Sequence, residues 1–167
     1  EVPEELIPQF PLIRDVCRVL NVPQIEMEGY EADDLIATYA KRATEKGWHA
    51  QVISADKDLM QLMREHVSLY DPMKHKEITL ADVEAKFGVL PEKVVDVQAL
   101  MGDSTDNVPG ANGIGPKTAS ELIRSFGSIE NLYEHIDEIK SNKRKETLLR
   151  DKEQVFIAKK LVALDDN

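Results

Sequence analysis

The sequence predicts an α/β domain with a parallel sheet that continues into a helical region. Three observations predict it. Short strand-like runs alternate with helical patterns up to about residue 71, strand patterns nearly stop beyond it, and a glycine-rich turn at 109–119 separates two helical segments.

Taken in order, residues 4–20 place apolar side chains at Leu6, Ile7, Phe10, Leu12, Ile13, Val16, Cys17, Val19 and Leu20. That spacing predicts a helix packed on a core, with Cys17 as a small buried hydrophobe. Residues 22–27 are short and partly alternating, which predicts a strand. In 31–46 apolar residues fall at Leu35, Ile36, Tyr39, Ala40 and Ala43, with acids in front and Lys/Arg behind. A helix dipole favours that polarity, and Gly47 ends the helix. Residues 49–55 read as a buried strand, a short helix follows through Leu59, Met60 and Leu62, and 66–70 reads as another strand.

Thr79 with Asp82 has the form of a capping box, and Gly88 closes the helix that it opens. Pro91 starts a helix ending at Gly102. A loop then runs to Gly115, and Pro116 suits the first position of the next helix. Ser128, Ser141 and the apolar set Leu148, Leu149, Phe156, Ile157 and Leu161 mark further helices. The expected division is an α/β part over 1–75 and a helical part over 76–167.

The 167 residues and 18.8 kDa suffice for one compact domain, and 42% hydrophobic with 31% charged content is ordinary for a globular protein. No apolar run approaches the roughly 20 residues of a membrane span, and no signal-like segment opens the chain. A reducing cytoplasm is the expected setting, without membrane contact. The chain begins without methionine, so upstream residues are expected. Its net charge of −10 argues against nucleic acid at first sight. The acid is uneven, however: residues 1–109 hold 11 Lys+Arg against 21 Asp+Glu, and residues 110–160 hold 10 against 8.

Three acidic clusters fall at expected chain turns: Glu31, Asp33 and Asp34 at a helix start, Asp56 and Asp58 after a strand, Asp103 and Asp106 after a helix. Ligands of open parallel sheets bind beyond the carboxyl ends of strands, and the first two clusters directly follow predicted strands. Each has a plainer explanation as well. Carboxylates at a helix start cap free N–H groups, and Asp56-Lys57-Asp58 suits a turn in which an aspartate bonds the backbone. The third cluster faces the negative end of a helix dipole, which calls for compensation. A divalent cation would supply it, and hard ions such as magnesium or manganese select carboxylate oxygen. The histidines at 49, 66, 75 and 135 show no zinc-like spacing and are expected to be ordinary surface or packing residues.

The run PGANGIGPKTA at 109–119 is the most specific short signal. Gly113-Ile114-Gly115 permits a tight turn, Ile114 can plug it into the core, and Pro116 opens a helix whose free N–H groups, with Lys117, can hold a phosphate without reading a base. A simple glycine turn between helices is the alternative. The pattern fits a helix–hairpin–helix element for the DNA backbone.

Together, GYEADD at 29–34, SADKDLMQL at 54–62 and GDSTDNVPGANGIGPKTA at 102–119 resemble, in order and spacing, the successive motifs of the 5′-nuclease family found at the front of bacterial DNA polymerase I, within the flap endonuclease superfamily. The resemblance covers essentially the whole chain. It implies a parallel-sheet, PIN-like nuclease core with a helical region carrying a helix–three-turn–helix DNA clamp. It implies two magnesium or manganese ions: Glu31 and Asp33 would serve the first site, Asp56, Asp58 and Asp106 the second, with Asp34 and Asp103 at acidic positions nearer the second. It also implies potassium at the hairpin, DNA contacts from Gly113, Ile114, Gly115, Lys117 and Thr118, and a monomer fused to a polymerase domain.

The implied activity is metal-dependent 5′→3′ exonuclease and flap endonuclease hydrolysis of DNA with 5′ ends, flaps or nicks, and of RNA primers. The family's opening strand, further metal-site aspartates and phosphate-gripping arch are not in this sequence, so the chain is expected to be a fragment that cleaves poorly alone. Two other readings compete. One is a non-catalytic helix–hairpin–helix DNA-binding module; the other, a phosphatase or sugar transferase built on Asp56-x-Asp58, leaves the hairpin unexplained.

Overall fold

The computed structural model describes residues 2–166. A three-stranded sheet, β1 (Ala50–Ile53), β2 (Val67–Asp71) and β3 (Lys76–Ile78), has the order β1-β2-β3. The first pair is parallel, in register from Ala50↔Val67 to Ile53↔Tyr70, as the alternation predicts. The second pair is antiparallel, with Leu69 opposite Ile78, so the sheet is mixed. The extra strand is only three residues long and has no alternating pattern of its own, so its pairing with β2 decides it.

Eight α-helices lie among the described residues: α1 (Gln9–Val19), α2 (Ala32–Glu45), α3 (Leu80–Phe87), α4 (Val94–Met101), α5 (Pro116–Phe126), α6 (Ile129–Glu134), α7 (Asn142–Arg150) and α8 (Lys152–Val162). Their ends follow the local chemistry. Thr79 Oγ1 accepts from the Asp82 N–H at 3.2 Å while Asp82 Oδ2 accepts from the Thr79 N–H at 2.9 Å, and Gly88 leaves α3 with φ +72°. Ser128 and Ser141 cap α6 and α7, accepting from Asn131 and Arg144 N–H groups. A short 3-10 helix (Asp58–Leu62) carries the crossover from β1 to β2.

The core gathers around α4. Val94, Val97, Ala99 and Leu100 are wholly buried, and even Asp96 and Gln98 are enclosed. A helix covered on all faces belongs between layers. It packs against α8 and α5, whose buried Val155, Ala158, Ala119 and Ile123 belong to the same core cluster. There Lys159 of α8 reaches Asp96 at 2.7 Å and Glu130 at 2.8 Å, an ion-pair group that joins α4, α6 and α8.

The opening segment departs from expectation. Residues 9–19 do form a helix, yet α1 buries nothing: Phe10, Ile13 and Val16 remain about half exposed, and Cys17 is partly exposed. Residues 22–27 form no strand. Periodicity reports which face a segment would bury, and a strand exists only through a neighbour's backbone; among the described residues neither partner is present. No helix of the described residues is long and apolar enough to cross a membrane.

Candidate functional site

Three chain turns converge on one cleft lined by Glu31, Asp33, Asp56, Asp58, Gln98, Asp103 and Asp106, with Val108, Leu161, Val162 and Leu164 as its apolar wall. Each acid is held by ordinary local chemistry. Glu31 is the extended residue before α2, and its N–H donates to Asp34 Oδ2 at 3.2 Å, which leaves Asp33 in the first helical turn facing the cleft. After β1, the Asp56 N–H donates to Ser54 Oγ at 3.0 Å, and the Asp58 N–H donates to Asp56 Oδ1 at 2.9 Å. This is the aspartate turn anticipated for that segment, and it aims both carboxylates into the cleft as well.

The third turn depends on a close backbone approach. Gly102 leaves α4 at φ +73°, Asp103 and Val108 exchange backbone hydrogen bonds of 2.8 Å each, and Ala111 N–H donates to Leu100 O at 2.9 Å. The loop thereby folds back on the end of α4. A Cβ on Gly110 would lie 2.3 Å from Gly102 N and 2.3 Å from Met101 C, so only glycine fits. Asp103 Oδ1 accepts from the Thr105 N–H at 3.0 Å.

The electrostatics follow from crowding. Burial raises the Asp33 carboxyl above its ordinary value, and the nearby Asp56, Asp58, Glu31 and Asp34 charges push the same way. Asp58 is also raised, by burial first, against the opposing hydrogen bond from Gln98 and the Lys57 charge. Asp103, although its burial works upward, is held below the ordinary range by the Lys57 ammonium bonded to it and by the Thr105 amide. Lys57 therefore supplies part of the compensation that the Asp103 position, just past a helix end, requires.

Side-chain oxygens of Asp58, Asp103 and Asp106 all lie within 4.8 Å of one another, and theirs is the one set of three or more metal-ligating side chains brought together among the described residues. The donors are all carboxylate, which suits a hard divalent cation. A groove beside Glu84, Leu90 and Arg124, about 450 Å³ against about 370 Å³ for the acidic cleft, is larger but holds no such set. Glu31, Asp33 and Asp56 line the same cleft at its α2 and β1 side. Asp34 does not line it: Oδ2 takes the Glu31 amide, and Oδ1 takes the Asp165 N–H at 2.9 Å.

The loop that carries Asp103 and Asp106 continues directly into the hairpin. Ala111 and Ile114 are buried, Gly113 has φ +72°, and Gly115 precedes α5 in extended conformation. Lys117 is exposed and Thr118 half-buried. The hairpin is fastened at the α7–α8 junction, where Asp151 Oδ2 accepts from the Asn112 N–H at 2.8 Å, and by α8, where the Gln154 amide donates to Gly110 O. A Cβ on Gly115, at φ −91°, would meet nothing within 4 Å. The fold does not demand glycine there; a ligand approaching the backbone would.

The sequence did not single out Lys57, Gln98, Asp151 or Gln154. Gln98 had a readable signal, as an uncharged polar residue on a helix, Val94–Met101, whose other residues apart from Asp96 are apolar, whereas the tertiary reach of Asp151 had none.

Residues 1–88 match the family described as 5′-3′ exonuclease, N-terminal resolvase-like domain, and residues 89–167 match 5′-3′ exonuclease, C-terminal SAM fold. DNA polymerase I of Rhizobium leguminosarum is 52% identical over 162 residues, 97% of this chain and 16% of that protein. The chain thus spans about a sixth of that relative. Among solved structures, the bacteriophage T5 D15 protein crystallised with metal ions superposes with TM-score 0.86 at 28% identity, covering 99% of this chain and 65% of that one. The T5 D15 flap endonuclease in a complex with DNA and metal ions superposes with TM-score 0.82 at 28% identity, covering 99% and 63%.

Proposed function

The chain belongs to the 5′-3′ exonuclease family, and on that footing we propose that it provides the metal-binding cleft and DNA clamp of a nuclease that hydrolyses phosphodiesters near 5′ ends, flaps and nicks. One observation carries the reading: carboxylates from two separate turns, Asp58 after β1 and Asp103 with Asp106 after α4, bring their oxygens within 4.8 Å of one another. Capping and turn formation explain each acid singly but not their convergence. In this reading two magnesium or manganese ions would be held by Glu31 and Asp33 on one side and by Asp56, Asp58 and Asp106 on the other, with Asp103 nearer the second; Asp34, whose oxygens take the Glu31 and Asp165 N–H groups, lies outside the cleft and would only brace the start of α2. When bound, such ions supply a low-pKa water and charge stabilisation at the phosphate.

The chain's own groups do the positioning. Lys57 neutralises buried Asp103, the Gly102–Gly110 contact fixes the loop that presents Asp106, and no side-chain nucleophile is needed. The exposed backbone of Gly113 and Gly115, with Lys117 and Thr118, would take a duplex phosphate directly or through a potassium ion, while buried Ile114, whose N–H donates to Ala111 O at 3.0 Å, would hold the turn in place. Residues 1–75 would form the nuclease-core portion and 76–167 the clamp. The substrate range would include RNA primers, and the polypeptide would act as a monomer within a longer polymerase. DNA and metal ions in the T5 complex support the reading.

Manganese titration of the chain, followed by electron paramagnetic resonance, tests it. Binding lost in Asp58→Asn and Asp106→Asn is expected, together with loss of 5′-flap cleavage by the full polypeptide carrying either change. Unchanged binding in both variants would overturn the metal cleft.

A further inference from the structure

Gln98 lies on α4 at 1% exposure, and its Nε2 donates to Asp58 Oδ1 across 40 residues of sequence. Its Oε1 is enclosed and has no hydrogen-bond partner among the described residues. A buried carboxamide with an unused acceptor weakens a fold, because its lost hydration is not replaced. An aliphatic side chain of similar volume would fill the same buried place on α4 without that penalty. The hydrophobic helix therefore does not call for glutamine at 98, and the bond to Asp58 does.

We infer that Gln98 is a positioning residue of the acidic cleft: its amide clamps one oxygen of Asp58 and turns the other toward a divalent cation shared with Asp103 and Asp106. The inference rests on the metal reading above and deepens it. The donor's chemistry suits the task. An amide N–H orients a carboxylate without adding charge, whereas a lysine or arginine there would compete with the cation, and a glutamate would repel Asp58. The clamp is anchored on α4, the helix with most of its residues buried, while Asp58 begins the short 3-10 helix after the β1 turn. Partners that orient a metal ligand commonly set affinity by about 10- to 100-fold when removed.

The test uses the 167-residue chain with Mn2+ as probe, read by electron paramagnetic resonance, and thermal melting in EDTA. Gln98→Met and Gln98→Leu are expected to melt in EDTA within a few degrees of wild type or above it, yet to bind Mn2+ about 10- to 100-fold more weakly. Asp58→Asn serves as the reference for the metal reading itself. If wild type and Asp58→Asn bind alike, the cleft is not the metal site and the underlying reading fails. If Asp58→Asn loses binding while both Gln98 variants bind as wild type does, the positioning role alone is overturned. A drop of more than about 10 °C in EDTA for both Gln98 variants would overturn it too, since Gln98 would then be a requirement of the fold.

Discussion

Gly110→Ala isolates the backbone contact that presents the third acidic turn. The added methyl carbon would lie 2.3 Å from Gly102 N, 2.3 Å from Met101 C and 2.6 Å from Leu100 O, all backbone atoms that cannot rotate away. Carbon contacts are comfortable at about 3.5 Å, so the loop must withdraw by about 1 Å. That movement strains the Ala111 N–H bond to Leu100 O and the paired Asp103–Val108 bonds. Overpacking of this kind costs about 1–3 kcal/mol, and each weakened hydrogen bond adds about 1 kcal/mol. The stiffer unfolded chain returns about 0.4–1 kcal/mol, leaving a net loss of about 3–6 kcal/mol with all three bonds weakened. For a chain of this size that is a fall of roughly 6–24 °C in Tm, read by circular dichroism in EDTA. Gly115→Ala, with nothing within 4 Å and a permitted φ, should melt with wild type. Melting of Gly110→Ala within about 2 °C of wild type, with an unchanged response to manganese, would refute the reasoning.

Manganese at 100 times its dissociation constant should stabilise the wild-type chain by about 2.7 kcal/mol, and Asp58→Asn or Asp106→Asn should remove most of that gain in the same melting assay. Gly115→Ala should weaken duplex binding alike for unrelated sequences while sparing stability, and Lys117→Ala should lower the salt slope by about one unit in fluorescence anisotropy titrations. Asp151→Ala should weaken duplex binding through loss of the Asn112 anchor, whereas Asp151→Asn, which keeps an acceptor, should restore much of it. Tyr133 is enclosed and its hydroxyl donates to Leu148 O at 3.0 Å; burial raises it to about 12, with the Asp151 charge adding to the effect. Its folded value exceeds its unfolded value of about 10, so stability is full below pH about 10 and falls by about 2–3 kcal/mol toward pH about 12. Urea unfolding of Tyr133→Phe should flatten that alkaline limb.

The sequence by itself determined the features that rest on local chemistry. Thr79 with Asp82, Ser128, Ser141, Gly88 and Pro116 set helix ends through bonds or dihedrals within a few residues, so their positions were readable one turn at a time. The parallel pairing of β1 and β2 was legible because a strand–helical turn–strand alternation leaves few other arrangements. The three acidic turns and the buried Ile114 of the hairpin were legible for the same reason. Tertiary structure alone decided the rest. Whether the apolar face of α1 is covered depends on a partner surface that its own periodicity cannot report. Lys57 and Gln98 act on Asp103 and Asp58 across 46 and 40 residues, and Asp151 reaches Asn112 across 39. Those contacts follow from how α4 and α8 pack against the β1 turn and the hairpin, and no local spacing encodes which carboxylate will meet which donor once the chain has closed on itself.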